Sequence, residues 1–143
     1  MKNSLKLTLL LFLLSISAFA QNKVLVFEIR EEIDPRMNRH VELAFEKAKE
    51  VEATHVVIDM DTYGGVLTDA DDIRQRILDF GKPVYVFINK NAASAGALIS
   101  IACDKIYMAK GASIGAATVV NGSDGARAPD KYQSYMRSIM RST

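Results

Sequence analysis

The chain has 143 residues, 49% of them hydrophobic and 24% charged, and 18 basic against 17 acidic side chains leave a formal charge of +1. That balance, with no run of Lys or Arg, lacks the basic footprint of a nucleic-acid binder, so no nucleic-acid partner is expected. The single cysteine, Cys103, can neither close an internal disulfide nor build a thiolate metal site.

The first twenty residues stand apart from the rest. Lys2 and Lys6 precede an apolar stretch from Leu7 to Ile16, followed by Ala18-Phe19-Ala20 and Gln21. A charged start, an apolar run of about ten residues and an A-x-A site are the three parts of a secretory signal peptide, whereas a membrane-spanning helix takes roughly 20 apolar residues. The expected organisation is a signal peptide over 1–20 and one domain over 21–143. The protein is then exported, periplasmic or otherwise extracytoplasmic. An uncleaved anchor from Leu5 to Ala20 is the alternative, since that length spans a bilayer marginally.

Lys23 to Ile29 reads as a buried strand, and Asp34-Pro35 then gives an N-cap with proline at the first helical position. Met37, Val41, Ala44, Phe45, Ala48 and Val51 recur at helical spacing, with charged residues on the other side. His55 to Met60 is a second strand, running into Asp61-Thr62-Tyr63-Gly64-Gly65, where paired glycines open backbone conformations closed to other residues. Ile73, Ile77 and Leu78 mark a second helix, ended by Gly81 and Pro83. Val84 to Asn89 is a third strand, followed by the small residues Ala92 to Gly96 and a helix to about Cys103. Ile106 to Ala109 reads as a fourth strand, residues 111–125 are rich in Gly, Ala, Ser and Asn, and Asp130 starts a last helical stretch. Strand and helix alternate, which predicts an α/β fold of right-handed βαβ units with a mostly parallel sheet covered on both sides by helices.

Ligands in such folds sit beyond the carboxyl ends of the strands, where the loops 61–65 and 90–95 emerge. Ser94 lies among residues too small to cover it, at a strand-to-helix junction. There the helix dipole favours developing negative charge and a following backbone N–H can face an oxyanion. A plain N-cap or a tight helix–sheet contact would use the same residues. Gly64-Gly65 can lay further N–H groups beside that pocket, or can be a simple turn. The nucleotide-binding patterns GxGxxG and GxxxxGK[ST] are absent.

A serine nucleophile needs a base. His40 lies within the first helix and His55 at the opposite end of the sheet, which leaves a lysine of depressed pKa. Lys131 fits best, because it follows Ala128-Pro129-Asp130 at a helix start, where unpaired N–H groups favour a neutral amine. Asp130 works against this if its carboxylate faces the amine. Lys90, Lys105 and Lys110 are the other options.

Asp61-Thr62-Tyr63-Gly64-Gly65, Ala92-Ala93-Ser94-Ala95-Gly96, Ser113-Ile114-Gly115-Ala116 and Ala128-Pro129-Asp130-Lys131 stand in an order and spacing that resemble one family. It is the N-terminal protease domain of NfeD-type membrane proteins, relatives of the Clp protease and signal peptide peptidase A group. The resemblance covers about residues 23–143. It implies a Clp/crotonase-like fold and a Ser-Lys dyad, with Ser94 as nucleophile and Lys131 as general base. It also implies that Gly65 and Ala95 supply the oxyanion N–H groups and that Gly64 shapes their turn. No cofactor or metal is implied. The implied substrates are hydrophobic segments of membrane partners, notably stomatin-like proteins, and the implied assembly is a homo-oligomer.

Two departures are visible. Tyr63 stands where the family commonly has Pro, predicting a less rigid or partly covered oxyanion turn. The sequence ends twelve residues after Lys131, where the family's domain continues, so a partial domain is expected. The leading function is an exported serine endopeptidase. A catalytically inactive peptide-binding or assembly module of the same fold is the alternative, and a crotonase-like acyl-CoA enzyme a third reading, disfavoured by export.

Overall fold

The computed structural model describes residues 22–143. The expected signal peptide at 1–20 lies outside the described residues. In chain order the elements are β1 (Val24–Ile29), α1 (Pro35–Glu50), β2 (His55–Thr62), α2 (Leu67–Leu78), β3 (Val84–Ala93), α3 (Ala95–Ile101), β4 (Lys105–Met108), β5 (Ser113–Gly115) and α4 (Asp130–Ser142). No helix among them is long and apolar enough to cross a membrane.

The strands lie in the order β1-β2-β3-β4, all parallel, and β5 pairs with the end of β3 beyond β4. Because side chains alternate across a strand, Phe27, Ile29, Val56, Ile58, Met60, Val84, Val86 and Ile88 share one face and are buried there. Val41, Phe45 and Ala48 of α1, Ala70, Ile73 and Ile77 of α2, Leu98 and Ile99 of α3, and Met136 and Ile139 of α4 complete this core.

The expectation of helices on both sides is corrected here. Strands in sequential order, joined by crossovers of one hand, put successive helices on the same face. The other face carries Val24, Val26, Phe87 and Tyr107, each more than a third exposed.

Local chemistry sets the element ends. The Asp34 carboxylate accepts the Met37 N–H at 2.9 Å and caps α1, with Pro35 in its first turn. That N–H and the Arg36 guanidinium hold the Asp34 carboxyl below its usual value. Gln133 ties α4 to the preceding loop. Its side-chain amide donates to Val119 O (2.6 Å) and Ala128 O (3.1 Å) and accepts from Val119 N (3.1 Å). Between those carbonyls a small hairpin is closed by an antiparallel bridge from Val120 to Arg127.

β5 falls within the segment rich in Gly, Ala, Ser and Asn. Three residues ending in glycine carry no periodicity of their own. They become a strand because β3 runs four residues past Asn89 and offers Asn91, Ala92 and Ala93 as partners.

Candidate active site

Ser94 sits between the end of β3 and the start of α3, with φ 53° and ψ −113°. That backbone conformation is strained for a residue with a side chain, so the surroundings must hold it. Ser94 N donates to Gly115 O at 2.7 Å, while Ser94 O accepts from Ala97 N (3.0 Å) and Leu98 N (3.3 Å). The hydroxyl makes no capping bond to the helix. An ordinary N-cap has extended backbone and a bonded side chain, so the plain-cap reading does not describe Ser94.

The turn after β2 abuts the serine. A Cβ placed on Gly64 (φ +111°) would lie 2.7 Å from Ser94 Cβ and 3.0 Å from Ala93 O, so only glycine allows this approach. Gly65 (φ +154°) is packed as closely against the β1–α1 loop, where an added Cβ would meet Ile33 O at 2.2 Å. Gly64 O accepts from Ile33 N (2.9 Å) and Ile33 O accepts from Val66 N (2.7 Å), a parallel bridge. In such a bridge the middle residue's own N–H points the other way. Gly65 N–H therefore has no acceptor among the described residues, and neither does Ala95 N–H, the first amide of α3. Gly64 N–H is not free, because it donates to Thr62 Oγ1 at 3.1 Å. Gly64 thus shapes the turn.

Ser94 and Ala95 open into a cavity of about 680 Å³. Its lining is chiefly apolar, with Val66, Leu67, Val119, Val120 and Met136 among its residues and Glu32 the one charged side chain. Tyr63 is 82% exposed and lines the cavity beside Gly65. A second hollow on the other side of the turn, about 440 Å³, is lined by Arg30, Glu31, Glu32 and Asp61 together with residues 62–65.

Ser94, Gly64, Gly65 and Ala95 are brought together as the sequence led one to expect. Lys131 is not. Its side chain is exposed, its ammonium stacks 4.9 Å from the Tyr132 ring centroid, and it does not line the cavity. The cause is helical geometry. Gln133, Met136 and Ile139 are the buried residues of α4, and a residue two before Gln133 lies about 200° away around the helix. The first turn of α4 has no side-chain cap, and Pro129 O accepts from Tyr132 N (2.9 Å) and Gln133 N (3.5 Å). Asp130 pairs with Arg127 at 2.9 Å.

Of the other candidate bases, Lys110 is exposed and does not line the cavity, and the remaining four make contacts elsewhere. Lys90 is 4.0 Å from Asp61, and Lys105 lies 5.7 Å from the Tyr85 ring centroid. His55 Nδ1 is 3.0 Å from Thr54 Oγ1, and the His40 ring packs edge-on to Phe27. Missed by sequence reasoning were Thr62, Ile33 and Gln133, which hold the site's backbone. Only Thr62 carried any signal, as the residue between strand and glycine turn.

The sequence matches the family model described as NfeD1b, N-terminal domain, over residues 23–143. It is 35% identical over 111 residues to membrane protein NfeD1b of Bacillus subtilis (strain 168), covering 78% of this chain and 25% of that protein. Identity is 31% over 145 residues to the membrane-bound protease PH1510 of Pyrococcus horikoshii, covering 96% and 33%. The chain thus spans a quarter to a third of the length of these curated relatives.

Two solved structures of the 1510-N membrane-bound stomatin-specific protease superpose with TM-scores of 0.80. One is a serine-to-alanine mutant, 28% identical, covering 87% of this chain and 63% of that one. The other is a lysine-to-alanine mutant in complex with a substrate peptide, 30% identical, covering 87% and 60%. A ClpP1 mutant from Listeria monocytogenes (TM-score 0.53, 23% identity, covering 55% and 46%) shares the fold.

Proposed function

The chain belongs to the family of NfeD1b N-terminal domains, and from that premise we propose that it is the peptidase domain of an NfeD-class serine protease. The observation that carries this reading is the free, strained Ser94 set against two acceptor-less N–H groups. Ser94 holds φ 53° and its hydroxyl makes no cap bond to α3.

In the proposed reaction Ser94 Oγ attacks a substrate carbonyl carbon while its proton passes to neutral Lys131 Nζ. The carbonyl oxygen becomes an oxyanion facing Gly65 N–H and Ala95 N–H. Collapse breaks the C–N bond, Lys131 returns the proton to the departing amine, and water then hydrolyses the acyl-enzyme by the same route. Lys131 can serve only if the first turn of α4 rotates when a peptide occupies the cavity. The relatives studied with a serine or a lysine replaced by alanine favour the same pairing of groups.

The apolar walls fit a hydrophobic peptide segment, and the substrate peptide bound to one relative makes a membrane-protein segment, as in a stomatin-like partner, the proposed substrate. Export by a signal peptide at 1–20 and self-association belong to the same proposal. The outward placement of Lys131 favours a second reading, a peptide-binding domain without turnover.

An internally quenched hydrophobic peptide separates the two. Cleavage by the wild type that is lost in Ser94→Ala and in Lys131→Ala is the expected result. Binding with no cleavage by any form selects the second reading.

A further inference from the structure

Given the Ser94 reading, on which this inference rests, we infer that Thr62 is a positioning residue that aims the oxyanion turn at the nucleophile. Thr62 is the last residue of β2 and only 2% exposed. Its single hydroxyl proton goes to Glu31 O at 2.6 Å, which leaves a lone pair to accept Gly64 N–H at 3.1 Å. One buried hydroxyl therefore ties the glycine turn to the β1–α1 loop, the same loop whose Ile33 brackets Gly65.

The other branch of the side chain reaches the nucleophile's helix. A Cβ on Gly96 would lie 2.7 Å from Thr62 Cγ2, so that methyl fills the space glycine leaves in the first turn of α3. Thr62 touches the turn that presents Gly65 and the helix that presents Ala95, and sets the distance between them. Its bond to Gly64 N–H fixes the peptide that enters Gly64, and so the point from which the next peptide starts, the one that Ile33 N–H holds at Gly64 O and that carries Gly65 N–H. Valine has nearly the shape of threonine without the hydroxyl, and serine has the hydroxyl without the methyl, so the two substitutions separate the roles.

The test uses the full chain in detergent and two readouts, amide hydrogen exchange and the rate of phosphonylation by a fluorophosphonate. In the wild type the Gly64 amide should exchange at least about ten-fold more slowly than the Gly65 amide. Thr62→Val should abolish that difference, leave Ile58 and Val86 protected, and lower the limiting phosphonylation rate about 100-fold with little change in probe affinity, the scale of a misplaced reacting group. Thr62→Ser should restore the rate to within a few-fold of wild type.

Equal exchange of Gly64 and Gly65 in the wild type overturns the inference without any variant. So does Thr62→Val reacting at the wild-type rate, or Thr62→Ser losing as much as Thr62→Val. A folded wild type that shows the exchange difference but takes no label overturns the Ser94 reading itself. The hydrogen bond would then stand with no catalytic turn to position.

Discussion

Replacing Gly64 with alanine probes the contact between the turn and the serine. The new Cβ would sit 2.7 Å from Ser94 Cβ, where ordinary contact begins near 3.4 Å, so turn and nucleophile must part by about 0.7 Å. Ala93 O at 3.0 Å and Ala95 N at 3.2 Å block the sideways escape, since both are backbone. A φ of +111° adds strain for an L side chain of about 1–3 kcal/mol. Gly65 N–H, the donor proposed on the turn, then moves away from Ser94 Oγ and Ala95 N–H, and a displacement approaching 1 Å costs about 100-fold in rate, or about 2.7 kcal/mol in the barrier.

The assay is the rate of fluorophosphonate labelling on protein shown by circular dichroism to be folded, beside denaturant unfolding. Gly81→Ala is the control. Gly81 has φ +72° with nothing within 4 Å, so alanine there should bring strain alone and leave labelling untouched. Wild-type labelling of folded Gly64→Ala would refute the argument, as would an equal loss in Gly81→Ala, which would point to general destabilisation.

Two further predictions concern the scaffold. Burial pushes the Cys103 thiol up to about 12 from an ordinary 9.0. Between those values the unfolded chain releases a proton that the folded chain keeps, so stability is full below pH 9 and falls by about 1.4 kcal/mol per pH unit as pH rises toward 12. Cys103→Ala should flatten that part of the stability curve. In the wild type at pH 8 a thiol reagent should react no faster than the protein opens, and rapid stoichiometric reaction of native protein would contradict the burial. Gln133→Leu should leave Val119 N and Ala128 O short of partners, cost about 2–4 kcal/mol, and speed tryptic cleavage after Arg127. Unchanged melting and cleavage would show that Gln133 does not hold the hairpin.

Much of this architecture was readable from periodicity. The core face of α1 follows from the spacing of Val41, Phe45 and Ala48, and Asp34-Pro35 marked its start. Ser94 and Gly64-Gly65 stood out because small residues after buried strands leave backbone exposed. The dependencies between segments were not readable. That Thr62 would bond Gly64, or that Ile33 would bracket Gly65, follows from β1 and β2 lying side by side. The one-sided sheet required the strand order. The direction of Lys131 depended on which residues of α4 turn inward, and Gln133 settled that by bonding the hairpin carbonyls. A polar residue recruited to a helix's buried side leaves no hydrophobic signal.

The central claim is that Ser94 is a nucleophile. The most direct measurement is mass spectrometry of the tryptic peptide Asn91–Lys105 after fluorophosphonate treatment of folded wild type and Ser94→Ala. The account predicts one adduct, on Ser94, absent from the variant. An unlabelled folded wild type, or a label that survives Ser94→Ala, would contradict it.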